Sequence, residues 1–72
     1  MRDYHINIFF SEEDDWYVAD VPDLVFCSAL GDSPEHALTE VRIATENWLA
    51  AARQRGEQVP QPKYRPFIHQ PL

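Results

Sequence analysis

Gly31-Asp32-Ser33-Pro34-Glu35-His36-Ala37-Leu38 opens a run that continues to Gly56, and its reading decides the fold. Gly31 and Asp32 suit a turn. Ser33 is a good N-cap, because its hydroxyl can accept from an otherwise unpaired amide of the first turn. Pro34 fits the first helical position, where its missing N–H costs nothing. Glu35 meets the positive end of the helix dipole. His36 stands where a full capping box would carry Glu or Gln, so the box is incomplete. Arg53 and Arg55 fall in the last turn, and Gly56 can close it in the left-handed conformation. The run predicts one helix of about six turns.

Ala37, Val41, Ala44, Trp48 and Ala52 recur at three- and four-residue spacing, flanked by Leu38, Thr45 and Leu49. That stripe predicts the face laid on a sheet. Glu40, Arg42, Glu46, Asn47 and Arg53 fall mostly on the other side. Ile43 interrupts the polar face and is a candidate contact with another subunit.

The rest of the chain is short. Seventy-two residues make one small domain, and such a chain buries only about 60–65% of its unfolded surface. Cys27 is the only cysteine, so neither a disulfide framework nor a zinc pattern is available. Two Trp, three Tyr and four Phe are more apolar bulk than one helix and a few strands can hide. Small chains without covalent or metal staples often oligomerise, and a dimer or tetramer is expected. The net charge of −6 disfavours phosphate-backbone binding and favours a basic partner. Met1-Arg2-Asp3 is followed by alternation, which does not fit a signal peptide, and no stretch approaches a membrane span. One free cysteine and no export signal predict a cytoplasmic location.

Tyr4, Ile6, Ile8 and Phe10 alternate with His5, Asn7 and Phe9, which predicts a strand. Ser11 through Asp15 is a polar break. Its carboxylates, Glu12, Glu13, Asp14 and Asp15, read as a solvated hairpin loop; the glycine and alternating ligands of a loop cation site are missing. Trp16 to Asp20 is a second strand, with Trp16 and Val18 on one face and Tyr17 and Ala19 on the other. Pro22 ends or bends the sheet. Val25 to Leu30 reads as a third extended run, with Cys27 a small buried apolar residue. Pro60 and Pro62 mark an extended linker after the helix. Tyr64 to Ile68 contains Pro66, so it is either an edge strand or an arm lying on another subunit. The chain divides into residues 1–62, the folded domain, and a tail at 63–72.

The expected class is α+β: a three-stranded antiparallel sheet with one long helix on one face and room for a short fourth strand. The uncovered sheet face, carrying some of Phe9, Tyr17, Ala19 and their neighbours, is expected to be an interface. Candidate oligomer contacts are Phe9, Tyr17, Ile43, Tyr64, Phe67 and Ile68.

The ordered set of features resembles the HicB-like antitoxin family. It comprises the alternating strand Tyr4 to Phe10, the acidic turn into Trp16-Tyr17-Val18-Ala19, and Val21-Pro22-Asp23-Leu24 followed by Cys27. Gly31 to Leu38 then opens the long helix, with Val59-Pro60-Gln61-Pro62 after it. The resemblance implies a partial RNase H-like β-β-β-α-β fold. It also implies an antitoxin of a type II toxin–antitoxin pair, neutralising a small basic HicA-like mRNA-cleaving toxin by protein–protein contact. Candidate charges for that contact are Glu12, Glu13, Asp14, Asp15, Asp20 and Asp23. Many family members carry a C-terminal DNA-binding module; about sixteen residues follow Gly56 here, which leaves no room for a recognition helix. No direct DNA binding is expected. The two-metal chemistry of an RNase H site needs an acid in the first strand, and Tyr4 to Phe10 has none. The expectation is therefore a non-enzyme with no cofactor and no metal. His36 and Glu40 share a helix face but lack a third ligand. The alternative is a stand-alone homo-oligomeric structural or small-ligand-binding domain without a toxin partner.

Overall fold

The computed structural model describes residues 3–65. Three strands, β1 (Asn7–Ser11), β2 (Trp16–Asp20) and β3 (Ser28–Gly31), are followed by one helix, α1 (Pro34–Gln54). The sheet is antiparallel in the order β1-β2-β3. The α+β class read from the sequence is what the chain adopts. Tyr64 and Arg65 are not in a strand, and the rest of the expected fourth strand, with Phe67 and Ile68, lies outside the described residues.

The helix begins and ends as its local chemistry dictates. Ser33 is the N-cap, and its Oγ accepts from the His36 N–H at 3.0 Å. His36 does the work of the missing Glu or Gln: its Nδ1 accepts from the Asp32 N–H at 3.1 Å, which stitches the approach to the cap. At the other end Gly56 has φ 72°. The Glu57 N–H donates to the Ala52 carbonyl at 2.9 Å and the Gly56 N–H to that of Arg53 at 3.1 Å. Together they satisfy carbonyls that the last turn leaves unpaired. The buried stripe is Ala37, Val41, Leu49 and Ala52.

The helix lies over β3 and β2 and only brushes β1. Gly31 shows how close it comes. A Cβ there would run into the Ala37 nitrogen and the His36 carbonyl carbon, both backbone. Gly31 thus ends β3 as a contact point for the helix, and the turn to the cap comes after it, at Asp32 and Ser33. The core is made of small and medium side chains: Ala19, Val21, Leu24, Cys27, Ala37, Val41, Leu49 and Ala52. None of the described aromatic residues is buried.

Three expectations are corrected by this arrangement. The first strand, read over Tyr4 to Phe10, runs from Asn7 to Ser11. Tyr17 and Ala19 lie on the covered face of the sheet, since Ala19 is fully buried and Tyr17 packs on the core. The open face instead carries their alternation partners. The third strand also starts later than its apolar run suggests. Val25-Phe26-Cys27 closes a tight loop in which the Leu24 N–H donates to Val21, the Cys27 N–H to Leu24, and the Val21 N–H to Cys27. Phe26 sits at φ 59°, which a strand does not allow.

After the helix the chain returns across the bottom of the sheet as a strap. The Tyr4 hydroxyl donates to the Pro60 carbonyl, 56 positions away. The Asp23 carboxylate accepts from the Lys63 and Tyr64 backbone N–H groups, each at 3.1 Å. The His5 and Tyr64 rings lie 4.8 Å apart.

Candidate functional site

The face of the sheet turned away from the helix is built by strand alternation and register. Phe9 pairs with Val18, and Val18 with Leu30, so these three form one row straight across the strands. Trp16 stands two residues along β2 from Val18 and therefore on the same face. Phe9 is 52% exposed, Leu30 50% and Trp16 44%. Val18, flanked on both sides, is half-buried.

Acids flank that apolar row on both sides, at the two ends of β2. Beyond Trp16 lies the hairpin loop of Glu12, Glu13, Asp14 and Asp15, all exposed. Ser11 holds the loop: its Oγ donates to the Asp14 carboxylate at 3.1 Å. Asp15 closes it at φ 55°, a conformation that Asp tolerates better than most residues. At the opposite end Asp20 pairs in register with Asn7 and Ser28. An apolar centre with a charged rim is the layout of a protein-binding patch.

The candidate residues divide accordingly. Phe9, Glu12, Glu13, Asp14, Asp15 and Asp20 belong to this face or its rim. Asp23 does not, because its carboxylate is engaged by the strap amides. Tyr17 faces the helix side, and its ring meets Phe10 edge-on at 5.2 Å. Ile43 is 52% exposed on the outer side of the helix, remote from the row. Tyr64 is held against its own chain by Asp23 and His5.

Phe26 was not legible as a site residue. It is 99% exposed, beside Val25 at 66%. The loop that presents them is braced from behind by the Trp48 indole N–H, which donates to the Val25 carbonyl at 2.9 Å. A fully exposed Phe in a left-handed backbone conformation costs stability without any burial to offset it. The sequence signal was the Pro22 turn, which shortens the room for a strand before Cys27.

On the helix side, a groove of about 1050 Å³ runs between α1 and the segment leading into β1, with Tyr4, Ile6, Val21 and Leu49 among its walls. Arg42, Arg53, Asp3 and Glu46 also line it, two charges of each sign. Among the described residues no three His, Cys, Asp or Glu side chains gather as metal ligands. Cys27 is buried, 3.7 Å from the Thr45 hydroxyl. No described helix is long and apolar enough to cross a membrane.

Comparison with protein-family models, with curated proteins and with solved structures found no match.

Proposed function

We propose that this chain is a binding protein of the HicB-like antitoxin type, which docks a small basic ribonuclease on the open face of its sheet and blocks it by contact. The observation that carries the reading is the exposed row Phe9–Val18–Leu30 with Trp16, bounded by the Glu12–Asp15 loop and by Asp20. The apolar centre supplies affinity once desolvated. The acidic ends supply steering and orientation toward a basic surface, consistent with the net charge of −6. The reading gives the chain no catalytic, metal-binding or operator-binding role.

The test is co-expression with a short basic protein encoded beside this chain, followed by co-purification and an RNA-cleavage assay. Binding should suppress cleavage. Leu30→Lys, which puts an ammonium group into the apolar row, should weaken binding by about a hundredfold. Neutralising Glu12, Glu13, Asp14 and Asp15 together should slow association and flatten its salt dependence. Undiminished cleavage at saturating amounts of this chain counts against the proposal. The groove between α1 and the segment leading into β1 supports a second reading, a small-ligand-binding domain. A metabolite that raises the melting temperature, with no protein partner captured, would favour it.

A further inference from the structure

We infer that the β1 edge is a self-pairing edge: two copies join antiparallel through Asn7–Ser11, with Phe9 opposite Phe9, to make one continuous six-stranded sheet. The inference does not depend on the toxin-binding reading. It starts from the order β1-β2-β3, which leaves one side of β1 without a strand partner among the described residues.

Edge strands that stay single are usually blunted by a Lys, a Pro, a bulge or an inward charge. Asn7-Ile8-Phe9-Phe10-Ser11 contains none of those residues. Its register with β2 runs from Asn7↔Asp20 to Ser11↔Trp16 without a skipped residue, so no bulge twists it away. Because the helix is offset toward β3, β1 is bare on both faces: Ile8 is 39% exposed and Phe10 47% on the helix side, and Phe9 52% on the open side. The β3 edge is a poorer candidate, being four residues long with Ser28, Ala29 and Gly31 as three of them.

The strand's sequence selects its occupant. Read from Phe9 outward it is palindromic in polarity: apolar at Ile8 and Phe10, polar at Asn7 and Ser11. A second copy running antiparallel therefore sets Ile8 against Phe10, Asn7 against Ser11, and Phe9 against itself, each pair matched across the two-fold. Charge selects the direction. A parallel pairing would bring two four-acid loops together, whereas the antiparallel one sends them to opposite ends of the junction. The same junction joins the two open-face rows, so that Leu30, Val18 and Phe9 of one copy continue into Phe9, Val18 and Leu30 of the other.

The experiment uses the full chain alone. The native protein should be dimeric by light scattering, and its β1 amides should gain hydrogen-exchange protection as concentration rises. Opposed residues in antiparallel strands have Cα atoms about 4.5–5.5 Å apart, within disulfide reach. Phe9→Cys should therefore form an intermolecular disulfide on mild oxidation. Leu30→Cys, two strands from the junction, should not. Circular dichroism of each variant verifies the helix. The inference is overturned by a native chain that stays monomeric at roughly 100 µM, or by a dimer that cross-links at position 9 no faster than at position 30. Should Phe9→Cys fail to fold, β1 amides of the native chain whose exchange is independent of concentration overturn it equally.

Discussion

Two residues carry backbone demands opposite in sign. Gly31 has no room for a side chain, because backbone atoms of His36 and Ala37 stand where a Cβ would go. Gly31→Ala must push the helix off the sheet, at a cost of about 2–3 kcal/mol. Chemical denaturation would measure it as a lower midpoint. Phe26 is the reverse case. Its left-handed φ of 59° disfavours an L side chain that is 99% exposed and buries nothing in the free chain. Phe26→Gly should stabilise the isolated protein by about 1 kcal/mol, raising the melting temperature by about 4–8 °C for a domain of this size. A fall in melting temperature would show that Phe26 is packed in solution.

At the scale of elements, the helix was legible because everything that defines it is local. Ser33, Pro34 and Gly56 act within one turn of themselves, and the three- and four-residue spacing of Ala37, Val41 and Ala52 names the buried stripe. The strands were legible as strands, but which face they bury was not. Period two divides a strand into two sets of side chains; the choice between them is made by where the helix crosses. Of Phe9, Tyr17 and Ala19, all candidates for the open face, only Phe9 lies there, in a row with Val18 and Leu30. The apolar run Val25-Phe26-Cys27 concealed a loop for a related reason: apolar content reports burial, not extension. At the helix end, Arg55 and Glu57 form an exposed pair at 2.9 Å. The hydrogen bond from Arg55 holds the Glu57 carboxyl below its ordinary value. A depressed carboxyl stabilises the fold above its unfolded-state value and loses that contribution as pH falls through its folded value. Glu57→Gln should accordingly remove a small part of the stability lost on acidification below about pH 4, seen as a slightly shallower melting-temperature profile there.

At the scale of the molecule, the core and the apolar content do not coincide. The buried residues are aliphatic or small, and of the three largest fully buried ones Leu24 and Val21 come from a loop and Val41 from the helix. A domain of this length is stable by only about 4–11 kcal/mol. Leu24→Ala, which empties the middle of that core, should cost about 2–5 kcal/mol. Urea titration should then show a large loss of the folded state. Phe9, Phe10, Trp16 and Phe26 sit at the perimeter, on both faces of β1, on the open face and at the Val25–Phe26 loop, while Tyr4, Tyr17 and Trp48 pack on the edge of the core. Composition had indicated that this bulk exceeded what one helix could hide. The places where it emerges depend on the offset of the helix, and the Asp23 clasp on the strap depends on residues 40 positions away.

The strap sets an order of events in time. Its bonds join Tyr4 to Pro60 and Asp23 to Tyr64, so each closes a loop of most of the chain. The β1–β2 hairpin and the capped helix need only short closures and gain early; the strap cannot dock until the body it crosses exists. It therefore belongs to the downhill side of the folding barrier. Tyr4→Phe removes one of its hydrogen bonds, worth about 1 kcal/mol. With that bond absent from the transition state, refolding should keep its rate and unfolding should accelerate about fivefold. Stopped-flow measurement of both limbs decides it: a slowed refolding limb would place the strap inside the nucleus.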